Sequence, residues 1–129
     1  MRIEHVALWT DDLEKMKVFY TQYFGGKSGN KYANPGTLFE SYFIEFEDGA
    51  RLEIMKMPSS LPNPGENEKQ YLGYVHLAFS VVSRETVDTL TETLKQDGYK
   101  IISGPRTTGD GYYESCILDP EGNRIEITV

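Results

Sequence analysis

The stretch Arg51-Leu52-Glu53-Ile54 returns near the end of the chain as Arg124-Ile125-Glu126-Ile127, in each case two residues after a glycine. The chain has only two histidines, and His5 and His76 precede these stretches by nearly the same number of residues. A pattern that recurs at one offset is typical of a chain built from two copies of a structural module. We therefore expect two modules, each opening on a histidine and closing on a glutamate.

The first half predicts a strand, a helix and a hairpin. Residues 2–10 alternate apolar and polar side chains, as a half-buried strand does. An acidic cap at Asp11-Asp12, with a glutamate three residues after Asp11, predicts the start of a helix that ends at Gly25-Gly26. Residues 38–57 then predict two strands joined at Asp48-Gly49, a favoured hairpin turn.

The second half repeats this order. Residues 58–71 are polar and proline-rich, which is typical of a linker. After it, residues 72–81 predict a strand, and Ser83 predicts the cap of a helix that ends before Gly98. Three further strands are expected, at 99–104, 112–118 and 123–129.

These elements predict an α+β fold. We expect one domain, 1–129, made of two βαβββ modules at about 1–57 and 72–129, with a linker at about 58–71. The modules should form a curved mixed sheet around a metal site, with the helices on the convex face.

The four candidate ligands lie on the polar faces of their strands. Strand side chains alternate between two faces, so each ligand can be compared with its neighbours. Apolar residues on all four strands fall on the opposite face, where we expect them to pack against the helices. The ligands that share the polar face are His5, Glu53, His76 and Glu126.

Imidazole and carboxylate groups together favour a divalent transition metal. Neutral imidazole suits Zn, Ni, Co or Fe, whereas Mg and Ca prefer oxygen ligands. Each residue also has an ordinary structural interpretation, as a hydrogen-bonded strand histidine or an exposed cross-strand Glu–Arg pair. The recurrence of both types at matching positions favours the metal site, whose four ligands would leave one or two positions open for water or substrate.

Composition excludes some classes of partner. The chain has 129 residues, with 39% hydrophobic and 26% charged residues and a formal net charge of −7. A net negative charge argues against nucleic acid or an anionic membrane as a partner.

The first residues lack the apolar core of a secretion signal, and the single cysteine, Cys116, cannot form an internal disulfide. We therefore expect a cytoplasmic protein.

The sequence resembles the vicinal oxygen chelate superfamily, which includes glyoxalase I, fosfomycin-modifying thiol transferases, extradiol dioxygenases and bleomycin-binding proteins. The resemblance covers essentially the whole chain. Its most specific parts are the His5 strand running into Asp12-Leu13 and Phe19-Tyr20, the His76 strand, and the segment 119–127. The fold implied by the resemblance is a pair of βαβββ modules around a metal.

Within this superfamily, ligands in the order His, Glu, His, Glu are similar to those of glyoxalase I. The resemblance implies a metal-dependent lyase or isomerase that converts a 2-oxoaldehyde–thiol hemithioacetal through a metal-bound enediolate. It also implies one Ni, Co or Zn ion per site, with Glu126 as the catalytic base. A homodimer is implied as well, in which sites are either shared between chains or formed within one chain.

Two departures leave the substrate and its thiol open. Bacterial glyoxalases that use glutathione have an arginine four residues after the first ligand and an asparagine four residues after the second. This chain has Trp9 and Met57 there. These two residues are candidates for substrate binding, together with Arg51, Arg124 and Tyr112. The alternative functions are a non-catalytic small-molecule or antibiotic binding module, and a thiol transferase or dioxygenase of the same superfamily.

Overall fold

A computed structural model of the protein describes residues 1–62 and 69–129. The chain divides into two compact units, Met1–Asn63 and Pro64–Val129, close to the predicted division between modules. Part of the predicted linker, 63–68, lies outside the described residues. That both modules make up one domain stays a prediction.

Unit 1 is a helix on a five-stranded mixed sheet. Its elements are β1 (His5–Trp9), α1 (Leu13–Phe24), β2 (Lys27–Ser28), β3 (Tyr32–Asn34), β4 (Phe39–Glu45) and β5 (Arg51–Lys56). The strands lie in the order β1-β5-β4-β2, and β3 also pairs with β4. β1 runs parallel to β5, whereas the other pairs are antiparallel.

Unit 2 repeats this arrangement with four strands. Its elements are β6 (His76–Ser80), α2 (Arg84–Gln96), β7 (Ile101–Thr107), β8 (Tyr113–Leu118) and β9 (Arg124–Thr128). The strand order is β6-β9-β8-β7, in which β6 and β9 are parallel. Two mixed sheets with two helices confirm the predicted α+β class.

The helices begin at side-chain caps. Asp12, and not Asp11, is the N-cap of α1, and its carboxylate accepts a hydrogen bond from the backbone N–H of Lys15 at 3.0 Å. Ser83 caps α2 as predicted, accepting from Thr86 N–H at 3.2 Å. Such caps satisfy backbone donors that the first helical turn leaves without partners.

Each helix packs mainly on strands other than the first strand of its unit. α1 packs mainly on β4, β5 and β2, and α2 on β8, β7 and β9. The apolar residues of β5 and β9 are buried as expected: Leu52, Ile54, Ile125 and Ile127. The apolar residues of β1 and β6 are less buried than those of β5 and β9.

In the two edge strands those apolar residues stay partly exposed. Val6 is 37% exposed, and Leu8, Leu77 and Phe79 are only half-buried. Most contacts of each helix are made with the other strands of its sheet.

Two strands of unit 2 differ in length from the prediction. β6 begins at His76 and not at residue 72, after a bend at Gly73, whose φ is 115°. β7 continues to Thr107, past the predicted end at 104, because the strand bulges around Gly104. A Cβ at Gly104 would lie 2.5 Å from the carbonyl oxygen of Glu114, so only glycine fits there.

Among residues 1–62 and 69–129, no helix has the length and apolar character required to cross a membrane.

We predict that Ile54→Ala lowers the free energy of unfolding by about 2–5 kcal/mol, because it leaves a cavity beneath α1. Val18→Ala, at an exposed position of α1, is the matched control and should change it by less than about 0.5 kcal/mol. Urea denaturation of both variants measures the difference. Equal losses would contradict the packing of Ile54 in the core.

Candidate functional site

The parallel pairing of strands brings one histidine and one glutamate together in each unit. In unit 1, His5 is in register with Arg51 and Ala7 with Glu53. In unit 2, His76 is in register with Arg124 and Ala78 with Glu126. Residues in register, and residues two positions further along, share a face of the sheet. Each histidine is therefore diagonal to its glutamate on the same face, which we call the ligand face.

In unit 1 the His5 Nε2 and Glu53 Oε2 atoms are 4.0 Å apart. The Glu53 side chain is 15% exposed and the His5 side chain 41%. The glutamate is therefore set into the sheet, while the imidazole reaches towards solvent.

The other ring nitrogen of His5 has a partner as well. Its Nδ1 is hydrogen-bonded to the carboxylate of Glu4, which also accepts from the Arg51 guanidinium. Phe43 packs edge-on against the His5 ring at 5.5 Å, and the Arg51 guanidinium lies 4.1 Å from the Phe43 ring centre. The hydrogen bond from His5 is the main cause that lowers the pKa of Glu4.

In unit 2 the His76 Nε2 and Glu126 Oε2 atoms are 3.1 Å apart. Burial raises the pKa of Glu126 above its ordinary value, and nearby His76 opposes this rise. A carboxylate with a raised pKa next to an imidazole is a frequent feature of sites that move protons.

Three residues that the sequence did not single out surround Glu126. Cys116 is its register partner on β8 and is buried, so desolvation, with a contribution from Glu126, raises the pKa of the thiol. Glu114, two positions from Cys116, forms an ion pair with Arg106 at 3.4 Å. The Glu114 carboxylate raises the pKa of Glu126 and the Arg106 guanidinium lowers it.

Arg106 and Glu114 were missed for a physical reason. The strand was expected to end at residue 104, which left Arg106 in the following loop, whereas β7 bulges there and continues to Thr107. Glu114 and Cys116 could have been found by pairing the predicted strands 112–118 and 123–129 as an antiparallel hairpin. In that pairing Cys116 is opposite Glu126 and Glu114 is opposite Thr128, so all four side chains lie on one face.

On each ligand face, the residues that lie two positions beyond Glu53 or Glu126, together with their register partners, form a row across the sheet. The chemistry of this row differs between the two units. In unit 1, Trp9 makes edge contact with Phe39 at 6.1 Å, and Phe39 contacts Tyr32 at 6.0 Å. The row in unit 1 is Trp9, Met55, Ser41 and Tyr32. The row in unit 2 is Ser80, Thr128, Glu114 and Arg106. We call these the outer rows; the first is largely aromatic and apolar, and the second is polar and charged.

The outer row of unit 2 includes an unusual hydroxyl. Among the described residues, Thr128 Oγ1 is the buried side-chain polar atom for which no hydrogen-bond partner is found. Buried hydroxyls are usually hydrogen-bonded, so this one is an exception within the outer row of unit 2.

The weaker substrate-binding candidates lie in different settings. Trp9 is 46% exposed on the ligand face, and Met57 follows the end of β5. Arg51 holds Glu4, and Arg124 donates to Gln70 Oε1 at 2.9 Å and to the Lys69 carbonyl. Tyr112 is exposed in the turn between β7 and β8.

The donor chemistry of each pair fits a divalent cation. An ionised carboxylate only accepts hydrogen bonds, so the Nδ1 of His5 donates to Glu4 and its Nε2 has a lone pair in the neutral ring. That lone pair and the Glu53 carboxylate are both electron-pair donors, and a cation suits the space that they face. In neither unit do the described residues gather three or more His, Cys, Asp or Glu side chains, so each unit supplies a pair.

Comparison with known proteins places the chain in a family. The sequence model of the Glyoxalase/Bleomycin resistance protein/Dioxygenase superfamily matches residues 2–127. The chain therefore belongs to this superfamily. Members of the superfamily generally use a divalent metal, bind small-molecule substrates and often form dimers.

Particular relatives agree with this assignment. The chain is 27% identical over 128 residues to the uncharacterized protein YqjT of Bacillus subtilis (strain 168). The matched region covers 97% of this chain and 96% of YqjT. The fold of this chain is similar to that of the trypanothione-dependent glyoxalase I of Leishmania major. The TM-score is 0.77 at 22% identity, and the match covers 98% of this chain and 85% of the other. A glyoxalase family protein from Enterococcus faecalis gives a TM-score of 0.79 at 23% identity, covering 99% and 97%.

We predict opposite shifts of the Glu126 pKa for two neighbouring substitutions. Glu114→Gln removes a negative charge and should lower this pKa, whereas Arg106→Gln removes a positive charge and should raise it. Carbon-13 NMR titration of the glutamate carboxyls in the metal-free protein measures both. Shifts of the same sign would show that these charges do not act on Glu126.

Proposed function

We propose that the protein is a metal-dependent lyase of the glyoxalase I type, in which His5, Glu53, His76 and Glu126 bind one divalent cation per site. Ni, Co or Zn is the expected metal, because two imidazoles and two carboxylates make a mixed nitrogen and oxygen donor set. The substrate class is a hemithioacetal of a 2-oxoaldehyde and a thiol, or a similar molecule with two neighbouring oxygens.

One observation carries this proposal. Each unit places an imidazole and a carboxylate on the same face at repeat-equivalent positions, with Nε2 directed at the carboxylate. An exposed cross-strand Glu–Arg pair, the ordinary alternative for each glutamate, does not account for this pairing with histidine.

The bound cation would supply Lewis-acid stabilisation of negative charge on the substrate oxygens. The chain's own contribution is proton transfer by Glu126, which takes a proton from one carbon of the substrate and returns it to the neighbouring carbon. The Glu126 carboxylate lies beside His76 on the ligand face, with its Oε2 3.1 Å from His76 Nε2, so it can reach a substrate bound at this pair. Glu53 would remain a fixed ligand.

The substrate's distal part would meet apolar surface on unit 1. Trp9 and Met57 stand where glutathione-using relatives have polar anchors, so a charge-assisted contact worth about 1.5–3 kcal/mol would be lost there. We therefore infer that the thiol differs from glutathione or is bound differently. Arg51, Arg124 and Tyr112 remain secondary candidates for substrate contact.

We also propose a homodimer in the cytoplasm. Apolar residues in and next to the edge strands support an association between copies, since Val6 in β1 is 37% exposed and Val75, just before β6, is 45% exposed. Uncovered edge strands with apolar side chains are usually paired or covered in native proteins.

We predict that Glu126→Gln lowers kcat by about 100-fold or more while much of the bound metal is retained. The assay uses methylglyoxal with several thiols in turn, alongside metal analysis of the purified protein. Glu14→Gln, at an exposed ion pair with Lys17 on α1, is the matched control and should keep full activity. Full activity of Glu126→Gln would contradict the assignment of the base.

We predict that two inactive variants complement each other if sites are shared between chains. One variant carries His5→Ala with Glu53→Ala, and the other carries His76→Ala with Glu126→Ala. In a mixed dimer with shared sites, one site regains all four ligands, so about one metal ion per dimer and part of the activity return. Sites formed within single chains would leave every mixture without metal and without activity.

A second candidate function is the binding of a small molecule without catalysis. An aromatic cluster on unit 1, in which Phe39 contacts both Trp9 and Tyr32, favours it. Metal analysis separates the two candidates, because a protein that binds no divalent metal after loading supports the binding module. Bound Fe(II) would favour a dioxygenase, and bound Mn a thiol transferase.

A further inference from the structure

Glu4 contacts both His5 and Arg51 at the start of the unit 1 sheet. One oxygen of its carboxylate is hydrogen-bonded to His5 Nδ1, and the other accepts from Arg51 Nη2. The Glu4 carbonyl also accepts from the Arg51 backbone N–H at 3.0 Å. The backbone and the side chain of Glu4 are thus both attached to the first residue of β5.

These contacts fix the orientation of the His5 ring. The imidazole ring contacts the Phe43 ring at 5.5 Å, with the two rings perpendicular, and the Arg51 guanidinium lies over the same phenyl ring. A rotation of the imidazole by half a turn would break the bond to Glu4 and direct Nδ1 away from it. The orientation observed directs Nε2 to Glu53.

The carboxylate also selects the tautomer of the ring. Glu4 in its ionised form can only accept, so Nδ1 must hold the proton and Nε2 is left with its lone pair. A neutral histidine that binds a metal through Nε2 requires this form, and a carboxylate on the other nitrogen makes it a stronger ligand.

The repeat does not require this contact, because unit 2 lacks it. Val75 precedes His76 where Glu4 precedes His5, and valine cannot accept a hydrogen bond from the ring. Arg124, which matches Arg51, donates to Gln70 Oε1 and the Lys69 carbonyl. Glu4 is therefore a feature of the first half alone.

We propose that Glu4 is a positioning residue that holds His5 as the Nδ1–H tautomer with Nε2 free to bind the cation. This inference rests on the proposed function, because it assigns Glu4 a task at the same metal-binding pair. An exposed ion pair such as Glu4–Arg51 adds little to stability, so removal of the carboxylate should leave the fold intact.

The first test uses the metal-free protein and does not depend on metal binding. Long-range nitrogen-15 NMR, at a pH about two units above the ordinary imidazole pKa of ~6.5, reports the tautomer of each histidine. We expect His5 to be mainly Nδ1–H, and Glu4→Ala to shift it towards Nε2–H, where the ring can donate to Glu53. His76 is the internal control and should not change.

The second test measures affinity for Ni²⁺ or Zn²⁺ alone, by competition with a coloured chelator. Glu4→Ala should weaken binding by about 10- to 100-fold, and Glu4→Gln by less, because its amide oxygen still accepts. Glu14→Ala, at an equally exposed carboxylate with its own lysine partner, is the matched control and should bind like the unaltered protein.

The outcomes separate the two proposals. An unchanged His5 tautomer in Glu4→Ala, or an Nε2–H ring in the unaltered protein, overturns the role of Glu4 whatever the metal result. A protein that binds neither metal overturns the proposed function, while the NMR result still decides the role of Glu4.

Discussion

The parallel pairing of the first strand of each unit with its last strand is the constraint on which the candidate site depends. Antiparallel hairpins build most of both sheets, but only this pairing sets β1 beside β5 and β6 beside β9. Its register puts each histidine diagonal to a glutamate on one face. A shift of β1 or β6 by one residue would direct its histidine to the opposite face of the sheet, away from the glutamate.

Much of the fold could be predicted from local patterns. Alternation with a period of two identified the strands and their faces, and Asp48-Gly49 and the Ser83 cap marked the hairpin and the second helix. The coverage of the edge strands was beyond such patterns, because alternation reveals which face of Val6 is apolar but not how far a helix reaches. The bulge at Gly104 was missed because it depends on the register between β7 and β8, which the alternation of side chains along one strand does not specify.

The sequence identified the candidate ligands but not the hydrogen bonds and neighbouring side chains around them. His5, Glu53, His76 and Glu126 were found because the repeat made each of them recognisable twice. Glu4 escaped the same reasoning, since alternation assigns it to the face opposite His5. It precedes the first residue of β1, so its side chain is free of the strand's alternation and turns back to the imidazole. The unequal surroundings of the two glutamates also depend on neighbouring strands, which a sequence pattern does not specify.

The outer rows show how a duplicated scaffold can diversify. Both units keep the same strand pairing around their ligands, yet one outer row is aromatic and the other is charged. Substitutions in these rows change surface chemistry without altering the strand register that orients the ligands. The strand pairing in each unit thus leaves its outer row free to change, so each half can present a different surface chemistry beside an unchanged pair of ligands.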